Sequence, residues 1–140
     1  MKQKLRAITV HQPWAWAIVM GYKDVENRRS RTESRGPLLI HAALKMDPAG
    51  FQFLWELGLH RKLPDELAVG ALIGEVNLTD CRYGYESEWA RPGHWQWILT
   101  NPKEFRSPLA CTGAQGFFTP RISSAALGQT RRHAINHRSR

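Results

Sequence analysis

GYKDVENR, residues 21–28, is the stretch of sequence that decides the fold. It places a lysine, a glutamate and an arginine within six residues, directly after an apolar, tryptophan-rich run at residues 14–20. Gly21 is predicted to end a helix, because glycine readily adopts the left-handed conformation that closes a helix end. The residues after it are predicted to form a strand, in which Glu26 and Arg28 share one face. Two interpretations are open: an ion network that fixes a helix–strand corner, or a charged cluster that holds a polar ligand.

Short alternating or apolar segments on both sides of this stretch predict a small sheet protein. The predicted strands cover residues 5–10, 23–28, 37–42, 69–78 and 94–99, with weaker candidates at 103–106 and 115–118. Two helices are predicted, at residues 13–20 and 49–57, and Asp47 is the expected N-cap of the second. The glycines within 69–78 predict a bulge or bend. The chain has no βαβ rhythm and no repeat, so the expected fold class is α+β, a small, mostly antiparallel β-barrel with two or three flanking helices.

The length and charge of the chain predict one domain and a tail. The 140 residues suit a single compact domain, which we expect at residues 1–120. The net charge is +8, and residues 121–140 contribute five arginines and no acidic residue. Because this segment also has few large apolar residues, we expect it to be a basic, disordered tail. Clustered basic residues fit either a polyanionic partner or a solvated surface.

Several classes of protein are disfavoured by the sequence. No long uncharged run is present, so no transmembrane helix is expected. Cys81 and Cys111 are too few for a disulfide framework and lack the paired spacing of a zinc site, which predicts a cytoplasmic protein with reduced thiols. His133 and His137 have helical metal-ligand spacing but no further ligands nearby, so no metal site is expected. Among the tryptophans, the core is expected to take Trp16, Trp55 and either Trp95 or Trp97.

Several blocks together resemble ASCH domains, a family of the PUA-like superfamily of small β-barrels. Residues 8–15, ITVHQPWA, resemble the start of these domains, and residues 21–28 match their G-x-K-x-x-E-x-R signature at all four fixed positions. The later matching blocks are RGPLLIHA at 35–42, GEV at 74–76, DC at 80–81, WILTNP at 97–102 and GAQGFF at 113–118. They occur in the family's order and extend the resemblance over residues 5–120.

The resemblance implies a cleft beside the barrel, lined by the signature. PUA-like domains generally bind RNA or modified nucleotides, and some ASCH proteins hydrolyse RNA or the acetyl amide of acetylated cytidine. The expected partner is therefore RNA or a nucleoside or nucleotide ligand, with no cofactor.

Two hypotheses follow for the residues of the cleft. In the first, the chain binds RNA or a nucleotide, using cations for phosphate, polar groups for base edges and an aromatic ring for stacking. The residues expected to take part are Lys23, Arg28, Arg29, Arg31 and Arg35 for phosphate, Gln12, Glu26 and Gln115 for base edges, Trp14 or Trp95 for stacking, and His41 as a further ligand contact.

In the second hypothesis, the chain is a small, metal-independent hydrolase, either a ribonuclease or an amidohydrolase acting on acetylated cytidine-type nucleosides. Lys23 would be the general base, Glu26 would orient the attacking water, and Arg28 would stabilise the developing charge. A nuclease also needs an acid, for which His11 and His41 are the nearest candidates. The small amidohydrolases of the family carry threonine at the position of Glu26, so the sequence leaves open whether the chain is an enzyme.

Overall fold

The computed structural model describes residues 5–137, which form six strands and three α-helices. The strands are β1 (Arg6–Gln12), β2 (Val25–Arg28), β3 (Gly36–Met46), β4 (Ala71–Tyr83), β5 (Trp95–Ala110) and β6 (Ile135–Asn136). The helices are α1 (Trp14–Val19), α2 (Pro48–Glu56) and α3 (Ser124–Arg132), with a 3-10 helix at Leu59–Lys62. In this part of the chain no helix has the length and apolar character needed to span a membrane.

The strands form one mixed sheet in the order β1-β3-β4-β5-β2, and β6 pairs with β5. β1 runs parallel to β3, whereas every other strand pair is antiparallel. The α+β class and the mainly antiparallel pairing are confirmed. The segment 103–106, predicted as a separate short strand, is part of β5.

The predicted closed barrel is wrong, because the sheet stays open between its edge strands β1 and β2. The outer edge of β1 pairs only at Ala7, which exchanges backbone hydrogen bonds with Phe118. Two residues further on, the carbonyl of Thr9 accepts a 3.0 Å hydrogen bond from Nη2 of Arg28 in β2. The Arg28 guanidinium thus occupies the Thr9 carbonyl, a backbone acceptor that a strand closing the sheet would need. Strand β2 has only four residues, which is too short to pair with β1 beyond this point.

The two faces of the sheet carry separate cores, as the alternation of side chains in β1 requires. Ile8 and Val10 belong to the core beneath α1. Ala7 points to the opposite face, where the core includes Leu39, Leu72 and Phe105. Helix α1 therefore lies on one side of the sheet and α3 on the other.

The predicted bulge in the fourth strand is confirmed at Gly74. The pairing register of β4 shifts between Leu72 and Gly74 on the β5 side, and the β3 side shifts between Ile40 and His41. A Cβ atom at Gly74 would lie 2.3 Å from the carbonyl oxygen of Lys103, so the strands approach closely only because this residue has no side chain.

The segment predicted to be a disordered tail contains helix α3. The hydroxyl of Ser123 caps the helix by accepting from the Ala126 amide at 3.1 Å. Arg131 donates to both carboxylate oxygens of the buried Glu75, at 2.6 and 3.0 Å, while Leu127 packs against the core of that face. Helix α3 is therefore held by the buried carboxylate of Glu75, a contact distant in sequence that the composition of the segment does not predict. Residues 138–140 of the predicted tail lie outside the described residues.

The predicted tryptophan core is partly confirmed. Trp16 and Trp97 are buried, whereas Trp55 is 62% exposed. Helix α2 turns Gly50 and Leu54 inward, so Trp55 faces outward and stacks on His60 with ring centres 3.8 Å apart.

Candidate functional site

Helix α1 and strand β2 bring the charged residues of 21–28 together. Gly21 has a φ of 84°, which ends the helix as predicted. The Lys23 amide then bonds to the Ala17 carbonyl at 2.9 Å, which fixes the start of the next segment against the helix. In β2, Glu26 and Arg28 are two residues apart and so share one face of the strand.

Glu26 lies at the centre of an ion triad with Lys23 and Arg28. Lys23 Nζ is 3.4 Å from Oε1 of Glu26 and also donates to the Val25 carbonyl. Arg28 donates to Oε2 of Glu26 from Nε at 3.1 Å and from Nη2 at 2.9 Å. The Lys23 and Glu26 side chains are only 4% and 11% exposed, whereas Arg28 is 26% exposed. The triad is thus largely removed from water, unlike a solvated turn.

Burial lowers the pKa of Lys23 from its ordinary value of 10.5. The charge of Glu26 and its hydrogen bond act in the opposite direction, and the net effect is still downward. Lys23 therefore gives up its proton more readily than a lysine in water, which is one requirement of a general base.

An open cavity of about 800 Å³ adjoins the triad. We call it the main cleft. Its volume falls in the range of about 300–1,000 Å³ that is usual for small-molecule sites. The residues that line it come from β1, α1, β2, α2, the segments just before β2 and α2, and the loop before β5: Thr9, Val10, His11, Trp14, Lys23, Glu26, Asn27, Arg28, Asp47, Ala49, Phe53, Glu88, Trp89, Ala90, Arg91 and Pro92.

Three aromatic residues, Trp14, Phe53 and Trp89, form part of the lining of the main cleft, which we call its aromatic side. The Phe53 and Trp89 rings lie 5.1 Å apart, and Trp14 meets Trp89 edge-on at 6.4 Å. The indole Nε1 of Trp14 donates to Asp47 at 2.8 Å, which fixes the orientation of that ring. Lys23 Nζ lies 5.8 Å from the Trp14 ring centre, so the cationic and aromatic sides meet at Trp14.

The loop at residues 84–94, which forms the remaining wall, is fixed by the side-chain amides of Asn27 and Gln96. Asn27 donates from Nδ2 to the Trp89 carbonyl at 2.9 Å and accepts from the Arg91 amide at 2.9 Å. Gln96, only 1% exposed, donates to the carbonyls of Arg91 and His94. Asn27 lies between the fixed positions of the signature, and its side chain therefore holds the loop at residues 84–94 in place at the main cleft.

The chain matches the model of the ASCH domain over residues 8–109. It belongs to the ASCH family. The predicted membership of that family, and with it of the PUA-like superfamily, is confirmed.

Curated relatives match a shorter part of the chain. Human and mouse activating signal cointegrator 1 are 38% and 36% identical to it over 80 residues, which is 53% of this chain. The match spans only 14% of the length of either relative. A crystal structure of a mutant of ZmASCH from Zymomonas mobilis has a similar fold, with a TM-score of 0.57 over 94% of this chain and 99% of that one. At 15% identity, this similarity concerns the fold alone.

Lys23, Glu26 and Arg28 of the ASCH signature line the main cleft together with Trp14, whereas Gly21 does not. Four other predicted ligand contacts lie outside the lining: Gln12, Gln115, Trp95 and His41. Gln12 is 1% exposed and bonds to the Ala68 carbonyl and the Trp16 amide. Gln115 is exposed and lies outside the lining. Trp95, the alternative stacking residue, packs instead against Tyr83 at 5.4 Å.

His41 lies behind the main cleft rather than in it. It is 2% exposed, its Nδ1 is 3.2 Å from the Thr9 hydroxyl, and its Nε2 is 2.8 Å from the Cys111 carbonyl. These contacts engage both ring nitrogens with protein atoms. Of the two histidines considered as acids, His11 is the one that lines the cleft, where it is exposed.

The three arginines predicted to contact nucleic acid are all exposed and follow β2 directly. Arg31 pairs with Glu33 at 2.6 Å, and Arg35 lies 3.7 Å from Asp80. Arg29 adjoins Arg28 in the chain but does not line the main cleft. Their predicted role stays a prediction.

Sequence reasoning did not identify the contributions of Phe53, Trp89 and the loop around Arg91 to the main cleft. Residues 84–94 have no periodic pattern, so their position was not predictable from local sequence. The available signal was a tryptophan followed closely by arginine and proline in a polar loop, since loops often carry binding residues.

Proposed function

We propose that this ASCH protein binds RNA, with one nucleotide seated in the main cleft. The observation that carries the proposal is that the lining of the main cleft combines cationic side chains with aromatic residues. The cationic side, with Lys23 and Arg28, is suited to phosphate oxygens. The aromatic side, with Trp14, Phe53 and Trp89, is suited to contact with a nucleobase.

The surrounding charge supports a polyanionic partner. The chain carries a net charge of +8, and Arg29, Arg31 and Arg35 are exposed directly after Arg28. We assign to these loop arginines the phosphates on either side of the seated nucleotide, a role that gives affinity without base specificity. Membership of a family in the PUA-like superfamily supports the same partner class.

The proposal is tested by filling the main cleft without touching its charges. Ala49 lines the cleft from α2 and is exposed, so Ala49→Trp introduces bulk at the mouth while the triad stays intact. Base stacking on aromatic side chains contributes about 1–3 kcal/mol per base. We therefore expect Ala49→Trp to weaken binding of a labelled single-stranded RNA octamer by about 5- to 150-fold, measured by fluorescence anisotropy over a series of salt concentrations.

Gln52→Trp is the matched control, because Gln52 is exposed on the same helix and does not line the main cleft. It should bind RNA like the wild type. Wild-type affinity should fall with salt, because phosphate contacts release counterions. Equal affinities for the wild type and Ala49→Trp would show that RNA does not enter the main cleft, and the proposal would fail.

The lowered pKa of Lys23 favours a second candidate function, hydrolysis of RNA or of an acetylated cytidine-type nucleoside. In this alternative, Lys23 takes a proton from water while Arg28 stabilises the developing oxyanion. Its contact with Glu26 is a counterargument, since the carboxylate favours the protonated amine.

Turnover decides between these functions. If Lys23 is a general base, kcat/KM should rise with pH and level off at a pH below 10.5, because only the neutral amine accepts a proton. Lys23→Met, which keeps the length of the side chain, should abolish turnover while retaining the circular dichroism spectrum of the wild type. RNA binding without any turnover in the wild type would eliminate the hydrolase.

A further inference from the structure

A second, smaller hollow adjoins the main cleft and shares a wall with it. Its volume is about 280 Å³, and Tyr22, Leu57 and Leu59 line it. The shared wall is formed by Glu88 and Trp89, which line both cavities. We call this smaller cavity the side hollow. The two cavities are therefore separated by about the thickness of one residue.

The dividing wall is held in place by hydrogen bonds. The Ser87 hydroxyl donates to Asp24 at 2.7 Å and accepts from the Trp89 amide at 3.1 Å. On the other side, Asn27 donates to the Trp89 carbonyl, and the Trp89 residue is only 7% exposed. A ligand that fills both cavities must therefore consist of two groups joined by a flexible connector that passes over the wall, rather than one rigid group.

The chemistry of the side hollow differs from that of the main cleft. Its lining contains two leucines and the rings of Tyr22 and Trp89, with no cationic side chain among the lining residues. The Tyr22 ring packs against the Trp16 ring, whose centre is 5.5 Å away. A hollow lined by two leucines, two aromatic residues and one carboxylate, without a cation, suits a neutral planar group and not a phosphate.

We propose that the side hollow is a second subsite, which takes the base of the nucleotide next to the one seated in the main cleft. Two neighbouring bases on a flexible sugar–phosphate connector are the ligand that the divided cavity fits. This inference rests on the proposed function, and it adds that the protein recognises a dinucleotide step rather than a single nucleotide.

Glu88 gives this subsite a base preference. It is exposed, and its carboxylate has no hydrogen-bond or ion-pair partner among residues 5–137. Because a carboxylate only accepts hydrogen bonds, it pairs well with the exocyclic amino group of cytosine or adenine and poorly with the corresponding carbonyl of uracil. The second base should therefore be adenine or cytosine rather than uracil.

The experiment compares 5′-phosphorylated dinucleotides with partners that have the same phosphates but lack one base. Affinities of pApA and of its two abasic counterparts, one lacking the first base and the other the second, are measured by isothermal titration calorimetry, together with AMP. The wild type should bind pApA about fivefold or more tightly than the abasic dinucleotides, the gain expected from stacking a second base. The ratio of the affinity for a full dinucleotide to that for its abasic counterparts should be smaller for pUpU than for pApA.

Two variants locate the gain. Leu57→Trp fills the side hollow and should reduce the ratio to about one, whereas Gln52→Trp in α2, the helix that ends just before Leu57, should leave it unchanged. Glu88→Ala should make the ratios for pApA and pUpU equal. Using ratios cancels any effect of a variant on the main cleft.

The outcomes separate the two proposals. If AMP binds but pApA binds no more tightly than its abasic counterparts, the second subsite is overturned and the proposed function stands. If Leu57→Trp keeps the full gain, the second base lies elsewhere and the inference is likewise overturned. If neither AMP nor pApA binds, both proposals fail.

Discussion

Glu26→Ala should lower the free energy of unfolding by about 3–5 kcal/mol, the cost of breaking a buried ion pair by removing one partner. The carboxylate of Glu26 engages Lys23 at 3.4 Å and Arg28 at 2.9 Å. Arg28 is partly exposed and can turn to water. The Lys23 side chain is 4% exposed and would keep the Val25 carbonyl, the Trp14 ring and the charge of Asp24, but no carboxylate among residues 5–137 in direct contact. Denaturation with urea, followed by tryptophan fluorescence, measures the change.

Glu33→Ala is the matched control for this prediction. Glu33 also pairs with an arginine, Arg31 at 2.6 Å, but both side chains are more than half exposed. An exposed pair contributes about 1 kcal/mol or less, so Glu33→Ala should leave stability nearly unchanged. The double variant Lys23→Met/Glu26→Leu should regain most of the lost stability without regaining RNA binding, because apolar residues can replace a buried ion pair in the folded state. Equal stability of Glu26→Ala and Glu33→Ala would contradict the buried triad.

Gly74→Ala should destabilise the fold by about 3 kcal/mol or more, at or above the upper end of the usual cost of overpacking a core. The added Cβ would lie 2.3 Å from the Lys103 carbonyl oxygen of β5 and 2.6 Å from Cγ1 of Val19 in α1. The first obstacle is backbone, so relief requires β4 and β5 to separate at the bulge. Thermal unfolding followed by circular dichroism measures the loss, and a failure to yield folded protein would be its extreme form.

The same substitution at Gly128 should have the opposite sign. Gly128 lies within α3, and the nearest atom to its added Cβ is Nη1 of Arg132, 3.4 Å away at the end of a flexible side chain. Alanine is favoured over glycine in a helix by about 1 kcal/mol, so Gly128→Ala should stabilise the protein slightly. A similar small effect at both glycines would refute the close approach of β4, β5 and α1.

The ion triad was predictable because all three charges lie within six residues and follow a helix whose end is marked by Gly21. Local rules for helix ends and strand alternation were sufficient to bring them together. The aromatic side of the main cleft and the loop at residues 84–94 were not predictable, because they depend on contacts such as the hydrogen bond of Asn27 with the Trp89 carbonyl, 62 residues away. No local pattern encodes such a contact.

The strands, including the bulge at Gly74, were largely predicted, whereas closure of the sheet and the state of the C-terminal segment were not. Closure depends on whether β1 and β2 pair along their backbones, and in the structure an arginine side chain bonds to the Thr9 carbonyl at that edge. Helix α3 depends on the pairing of Arg131 with Glu75, 56 residues earlier. A charge count treats Arg131 as solvent-exposed and basic, although in the structure it neutralises a buried acid.

The Arg28 side chain joins the open edges of the sheet and also lines the main cleft. Its Nη2 bonds to the Thr9 carbonyl on one edge strand and to Glu26 on the other. A ligand that bound this guanidinium would weaken the hydrogen bonds that join the two edge strands. The same few hydrogen bonds of Arg28 therefore affect both the affinity for a ligand and the stability of the sheet. A substitution at this position cannot strengthen one independently of the other.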